Sequence, residues 1–117
     1  MIRKVSYKNY QLHVHVEGEG EAVLLLHGWP TNANLWKAQR DFLKSNYQVI
    51  TPDWLGFGQS DKPKDHQYSL SSLVEMLDKL IKQILPHEEK MTIVAHDIGG
   101  PAALLWASEN QDRVKSL

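Results

Sequence analysis

The sequence contains no cysteine, which excludes disulfide bonds, a thiol nucleophile and any metal site built on cysteine. It also has almost no excess of charge: 13 basic and 14 acidic residues leave a net charge of −1, so nothing favours nucleic acid or an anionic membrane as a partner. No apolar run approaches the roughly 18 residues of a membrane span, and the first residues lack the apolar segment of a signal peptide. We therefore expect a cytoplasmic protein.

What the sequence does contain is the composition of an ordinary globular protein, with 42% hydrophobic and 23% charged residues in 117. Residues 5–22 predict two short strands, with turns at Lys8-Asn9 and at the Gly18/Gly20 pair. Three later segments predict short buried strands, and the first of them is apolar throughout, as in a strand covered on both faces. These segments are AVLLL (22–26), YQVITPD (47–53) and MTIVA (91–95).

Helical patterns alternate with these buried strands. The first follows an N-cap candidate at Thr31 or Asn32 and covers residues 35–43, and the clearest one covers residues 69–85 with a single apolar stripe. A third begins near Gly99, and Val114 opens a further strand. Strands that alternate with helices predict an α/β fold with a parallel sheet, and we expect residues 1–117 to form one compact unit or part of a larger one.

Polar residues cluster where three of these strands end, at positions 27–30, at Asp53 and at positions 96–100. Ligands of open α/β sheets bind beyond the carboxyl ends of the strands. Asp97 stands between a strand and a helix, where a sharp turn would hold its side chain up at the head of a site. The small residues Ala95, Gly99 and Gly100 suit such a turn, and the helix N-terminus favours the ionised carboxylate.

Each of these features has a plainer interpretation. Asp97 alone is most simply a helix N-cap. The Gly56-x-Gly58 pair resembles a dinucleotide loop, but no helix follows it, so we expect no nucleotide cofactor. His13 and His15 share a strand face without further metal ligands, and we expect them to be exposed sheet residues and no metal to bind. We expect His66 and His87 to be solvated as well.

Three motifs in order resemble the α/β-hydrolase fold family over essentially the whole chain. Ala95-His96-Asp97-Ile98-Gly99 matches the nucleophile elbow G-x-S-x-G, HGWP matches the H-G-x-P oxyanion loop, and DWLGFGQSDKP matches the D-x-x-G-x-G-x-S loop. Aspartate in place of serine is similar to the branch that contains epoxide hydrolases and haloalkane or haloacetate dehalogenases. The resemblance implies a mostly parallel sheet flanked by helices, and it makes this chain the N-terminal part of a single domain, with the cap and the C-terminal part absent.

The resemblance also implies a chemistry. Asp97 would attack an sp³ carbon to form an alkyl ester, which an activated water then hydrolyses. The backbone N–H groups of Trp29 and Ile98 would form the oxyanion hole. The catalytic acid and histidine would follow the nucleophile, outside these residues. The resemblance assigns supporting positions to His27, Gly28, Pro30, His96 and Gly99.

Two positions bear on the substrate. Haloalkane dehalogenases resemble this chain but typically carry Asn and Trp, whose side-chain N–H groups hold the departing halide, at the positions of Trp29 and Ile98. Haloacetate dehalogenases usually have Arg in place of Ile98. An epoxide needs neither group, so we rank epoxide hydrolysis first and dehalogenation second, on a small, neutral, apolar substrate with water. A non-catalytic binding module is the alternative class, and the oligomeric state is open.

Overall fold

The computed structural model describes residues 1–87 and 89–117, which form a six-stranded sheet with helices on both of its faces. In chain order the strands and α-helices are β1 (Ile2–Tyr7), β2 (Tyr10–Glu17), β3 (Ala22–Leu26), α1 (Lys37–Leu43), β4 (Gln48–Pro52), α2 (Leu70–Ile84), β5 (Met91–Ala95), α3 (Gly99–Glu109) and β6 (Val114–Ser116). Short 3₁₀ helices at Ala33–Trp36 and Gln111–Arg113 precede α1 and β6.

The strand order is β1-β2-β4-β3-β5-β6. The first two pairings are antiparallel, whereas β4, β3, β5 and β6 run parallel, which confirms the predicted α/β class and mostly parallel sheet. Leu26 of β3 pairs with Ala95 of β5, and Leu24 pairs with Ile50 of β4. The chain segments that leave β3, β4 and β5 therefore emerge side by side at one edge of the sheet.

The larger core lies between the sheet and the helices α2 and α3. Helix α2 begins at a capping box in which Ser69 and Ser72 each bond the other's backbone N–H. The apolar stripe of α2 is buried from Leu73 to Ile84 except for the half-buried Val74, while Leu70, the first apolar residue of the predicted helix, is exposed. Trp106 of α3 packs on this core and donates its indole N–H to Asp78 of α2 at 3.1 Å, which ties the two helices together.

The opposite face carries a smaller apolar cluster of Val23, Leu25 and Val49 beneath α1. The helix expected over 35–43 is divided into a 3₁₀ turn and α1, and Asn32 rather than Thr31 caps it. Trp36 packs on the cluster and Arg40 points inward with it, whereas Phe42 is 80% exposed. Residues spaced by four share one helix face, so the inner face is set by positions 36 and 40 and leaves Phe42 outside.

The helices of this fold are short, and the longest, α2, has 15 residues. Within the residues that the structure describes, none is long and apolar enough to cross a membrane.

Candidate active site

Asp97 lies in the turn between β5 and α3, two residues beyond the strand and two before the helix. Its φ of +54° is in the left-handed region, which Asp tolerates better than most residues with a side chain. Two backbone bonds close the turn: Gly99 N–H donates to the His96 carbonyl at 3.0 Å, and Gly100 N–H to the Asp97 carbonyl at 2.9 Å. The side chain is thereby exposed at the carboxyl edge of the sheet.

The Asp97 carboxylate faces the loop that leaves β3. The backbone N–H of Trp29 donates to Oδ2 of Asp97 at 3.0 Å. The N–H groups of Trp29 and Ile98 hold the pKa of this carboxyl below its ordinary value of 3.8, an effect that partial burial opposes and the nearby His96 reinforces. The two N–H groups expected to form an oxyanion hole thus lie against the expected nucleophile.

Gly28 makes this approach possible. A Cβ atom built on Gly28 would lie 2.3 Å from Cβ of Asp97, and one on Gly99 would lie 3.0 Å from the His27 carbonyl oxygen. A Cβ on Gly100 would meet nothing within 4 Å. The expectation that the turn needs a small residue at position 100, as it does at position 99, is therefore wrong, because a Cβ on Gly100 faces open space. The turn depends on Gly28 and Gly99 instead.

His27 supports the oxyanion loop from beneath. Its ring is completely buried, with Nδ1 2.8 Å from the Gly28 carbonyl and Nε2 accepting the Trp54 backbone N–H at 3.0 Å. These partners require the proton on Nδ1, and burial lowers the pKa of the ring, so His27 is neutral. Since both ring nitrogens have hydrogen-bond partners, neither is free to act as a base, and the role of His27 is to position the loop that follows β3.

The remaining residues of the two loops contribute through the backbone. Thr31, which sequence reasoning considered only as a cap, donates from both N–H and hydroxyl to the Gly28 carbonyl, at 3.1 and 2.9 Å. The peptide bond before Pro30 is cis. His96 is exposed, and its backbone N–H donates to the Leu26 carbonyl at 3.1 Å. The sequence feature that could have indicated the role of Thr31 is its position three residues after Gly28 within a turn.

Asp53, at the end of β4, is buried and fully engaged. Its side chain is the acceptor for the backbone N–H groups of Ala33 at 2.7 Å and Gln59 at 2.9 Å. A Cβ on Gly58 would lie 2.3 Å from its carboxyl carbon, and Nδ1 of His13 is 3.5 Å from Oδ2. Asp53 therefore joins β2, the oxyanion loop and its own loop.

Three histidines are more enclosed than the sequence indicates. His13 and His15 are half-buried, with their rings edge to face at 5.2 Å, and His15 lines a small cavity with Asn32 and Asn34. His66 packs edge to face against Tyr7, Tyr10 and Tyr68 at 5.9, 6.0 and 4.8 Å between ring centroids. The expectations of exposed or solvated side chains were wrong at these positions. Among the described residues, no group of three or more metal-ligating side chains forms a metal site.

A cavity of about 490 Å³ opens beside Trp29 and Ile98. Its wall is predominantly apolar and includes Trp29, Leu55, Phe57, Tyr68, Leu70 and Ile98. Small-molecule sites are typically concave and mostly apolar with a few placed polar groups. The arrangement brings a carboxylate, two backbone donors and an apolar cavity together.

Residues 21–117 match the sequence model of the alpha/beta hydrolase fold, and the chain belongs to this family. A cis-3-alkyl-4-alkyloxetan-2-one decarboxylase of Shewanella oneidensis is 35% identical over 115 residues, which are 97% of this chain and 36% of the relative. The mesoderm-specific transcript protein of Mus musculus is 37% identical over 91 residues, 77% of this chain and 27% of that protein. The chain thus spans about a third of the length of these curated relatives.

Solved structures agree with this assignment. Haloalkane dehalogenase DatA from Agrobacterium tumefaciens C58 superposes with a TM-score of 0.89 at 32% identity, over 98% of this chain and 38% of that one. An epoxide hydrolase of Vigna radiata superposes with a TM-score of 0.82 at 33% identity, over 98% and 36% of the two chains. The chain is similar to both kinds of enzyme.

Proposed function

We propose that Asp97 is the nucleophile of a hydrolase that attacks an sp³ carbon and forms an alkyl-enzyme ester. The observation that carries the proposal is the Asp97 carboxylate at a left-handed turn, with Oδ2 held 3.0 Å from the Trp29 N–H and a mostly apolar cavity alongside. The lowered pKa keeps the carboxylate ionised, as a nucleophile must be.

The proposed reaction has two steps. First, Oδ1 forms a bond to the substrate carbon while the bond to the leaving oxygen breaks, and that oxygen takes the electron pair and then a proton. Second, water adds to the ester carbonyl, and the tetrahedral intermediate places its negative charge on Oδ2, where the N–H groups of Trp29 and Ile98 stabilise it. Losing one such donor typically slows a reaction by about 10²–10³-fold. Collapse of the intermediate releases the product alcohol and restores the carboxylate.

The second step needs a base for the attacking water. His27 is unsuited because Gly28 and Trp54 engage both of its ring nitrogens. In the family the acid and histidine follow the nucleophile along the chain. We therefore propose that the base belongs to the natural full-length protein beyond the residues described here.

The leaving group is proposed to be an oxygen that stays attached to the substrate, as in an epoxide. A departing halide needs N–H donors, and Ile98 offers no side-chain donor, while the Trp29 side chain is 64% exposed. The oxetan-2-one named for the Shewanella oneidensis relative meets the same condition, because its ring oxygen also stays attached when the ring opens. We rank strained oxygen rings first and alkyl halides second, with a neutral, mostly apolar substrate.

A single turnover in heavy-oxygen water tests the nucleophile. With the natural full-length protein in excess over styrene oxide, we expect the first diol to carry no heavy oxygen and the peptide containing Asp97 to gain one heavy oxygen. Asp97→Ala should remove both turnover and label, whereas Asp112→Ala, at another exposed aspartate, should change neither. Heavy oxygen in the first diol would mean direct attack by water and would refute the proposal.

A parallel assay ranks the leaving groups. Diol formation from styrene oxide is compared with bromide release from a bromoalkane and with ring opening of a 3,4-dialkyloxetan-2-one. Bromide release faster than both ring openings would reverse the ranking. No reaction with any of the three, and no label on Asp97, would favour a non-catalytic binding module.

A further inference from the structure

One wall of the cavity beside Trp29 and Ile98 carries the side chain of Tyr68. Tyr68 lies two residues before α2 and is 48% exposed. Since Ile98 directly follows Asp97 in the chain, a substrate that approaches Asp97 through this cavity shares the space with the Tyr68 ring. The position of that ring therefore bears on which substrates fit.

The loop after β4 holds the Tyr68 side chain through two contacts. The Tyr68 hydroxyl donates to the Pro63 carbonyl at 2.6 Å. A Cβ built on Gly56 would lie 2.8 Å from Cε1 of Tyr68, so the Gly56 backbone lies directly against the edge of the ring. Gly56 has a φ of +91°, which favours glycine, and the close approach is thus part of the loop backbone.

A third contact comes from His66. The rings of His66 and Tyr68 are edge to face, with 4.8 Å between their centroids and an interplanar angle of 87°. His66 also packs edge to face on Tyr7 of β1 and Tyr10 of β2, and Tyr7 is almost completely buried. Aromatic pairs of this geometry gain energy beyond that of burial alone. His66 therefore links the Tyr68 ring to the first two strands.

A ring held in this way can select among substrates, because a wide substituent cannot displace it without breaking these contacts. The hydroxyl proton is already donated to Pro63, so Tyr68 offers its ring to the cavity. One methylene more or less in an apolar pocket changes specificity by about 10–200-fold. The loss of a whole ring from the cavity wall is a larger change.

We propose that Tyr68 is a specificity-determining residue that contacts the hydrocarbon substituent of the substrate and limits its width. The inference rests on the function proposed above, because it concerns the substituent of the same strained oxygen ring. His66 is a positioning residue that acts on the substrate only through the Tyr68 ring.

The ratio of two substrates tests the proposal in the natural full-length protein. The kcat/KM for trans-stilbene oxide, which carries a second phenyl ring, is divided by that for styrene oxide. Tyr68→Ala should raise this ratio by about tenfold or more. Tyr68→Phe keeps the ring but loses the Pro63 bond and should raise it less. Phe42→Ala, at an aromatic residue 80% exposed on α1, should leave the ratio unchanged. An unchanged ratio in Tyr68→Ala would overturn the proposal.

The role of His66 is tested in two backgrounds. His66→Ala should raise the same ratio in the wild-type protein and have no further effect on it in Tyr68→Ala, because the two residues act as a unit. An equal rise with and without the Tyr68 ring would overturn the positioning role.

Binding to Asp97→Ala separates this inference from the proposed reaction. The diols 1-phenyl-1,2-ethanediol and hydrobenzoin are titrated by calorimetry into full-length Asp97→Ala and Asp97→Ala/Tyr68→Ala. We expect the second replacement to favour hydrobenzoin over the smaller diol by about tenfold or more. This shift without turnover of either epoxide would support the wall and contradict the nucleophile. An unchanged preference, or no binding of either diol, would overturn the wall.

A crystal structure of Asp97→Ala with hydrobenzoin supplies a readout that does not depend on the folding of a Tyr68 variant. A phenyl group in contact with the Tyr68 ring would support the proposal. Both phenyl groups bound away from Tyr68 would overturn it.

Discussion

Two aspartates follow the strands on either side of β3, and their surroundings differ sharply. Asp53 is 3% exposed, and its side chain accepts backbone N–H groups from Ala33 and Gln59. Asp97 is exposed and has a left-handed backbone conformation, and its Oδ2 accepts the Trp29 backbone N–H. A buried carboxylate whose two oxygens each accept a backbone N–H is a structural group, whereas an exposed carboxylate beside a cavity is accessible to a substrate. The difference lies in burial and in the neighbouring cavity, not in the residue type or the position at the sheet edge.

The largest effect should come from replacing the two carboxylates by amides. Asp97→Asn should lower turnover of the natural full-length protein by a factor on the order of 10⁴ or more, because an amide is a poor nucleophile. Its unfolding midpoint in urea should remain close to wild type, since Asn also tolerates the left-handed region. Comparable turnover loss in Asp53→Asn, measured on protein shown to be folded, would contradict the distinction.

The second effect concerns Gly28, which allows the oxyanion loop to approach Asp97. Gly28→Ala should lower turnover by about 10²–10³-fold, because the new Cβ would overlap Asp97 and displace it from the Trp29 N–H. Gly100→Ala is the matched control, since its Cβ meets nothing within 4 Å. It should preserve turnover and raise the free energy of unfolding by up to about 1 kcal/mol, as alanine favours a helix. Equal losses in the two variants would show that the overlap at Gly28 is not decisive.

The third effect is on stability and belongs to Asp53. Asp53→Asn turns one acceptor oxygen into a donor, which then faces a backbone N–H. We expect the free energy of unfolding to fall by about 1–3 kcal/mol, as for a buried group left unpaired. Urea unfolding followed by circular dichroism measures this loss. A variant as stable as wild type would show that the Ala33 and Gln59 bonds contribute little.

The smallest effect is a pH dependence. The N–H groups of Trp29 and Ile98 lower the pKa of Asp97 in the folded state below the unfolded value of 3.8. The ionised Asp97 carboxylate therefore contributes to the free energy of unfolding above pH 3.8, and this contribution is lost as the pH falls through the lower folded pKa. Formation of the covalent adduct should likewise stay constant through mildly acidic pH. Mass spectrometry of the Asp97 peptide at a series of pH values measures it, and an adduct yield with a midpoint above 3.8 would be inconsistent with this environment.

The strands, the helix α2 and the elbow were predictable because each depends on a local pattern. The all-apolar run of β3 and the serine start of α2 specify their elements without knowledge of distant residues. The contact of Gly28 with Asp97 was not predictable, because it joins residues 69 positions apart through the pairing of β3 with β5. The enclosure of His66 by three tyrosines has the same origin, since Tyr7 and Tyr10 come from the first hairpin.

The arrangement of the residues beneath α1 was still harder to predict from the sequence. Arg40 turns inward although hydrophobic spacing does not predict a charged residue there, whereas the apolar side chain of Phe42 on the same helix is 80% exposed. Hydrophobic spacing identifies a helix but not which of its faces is covered when the sheet below carries His13, His15 and Thr51. The polar face of the sheet decides which helix residues turn inward.

The interlocked loops after β3 and β4 have a consequence for engineering. Trp54 donates its backbone N–H to the ring of His27 and its indole N–H to the His27 carbonyl at 2.8 Å, while Asp53 bonds Ala33. Exchanging residues 27–33 for a loop without His27 would remove the ring that accepts the Trp54 backbone N–H and leave that buried donor unmatched. A transplant that carries residues 53 and 54 together with 27–33 would move the unit intact, so the transferable module of this fold is two segments rather than one.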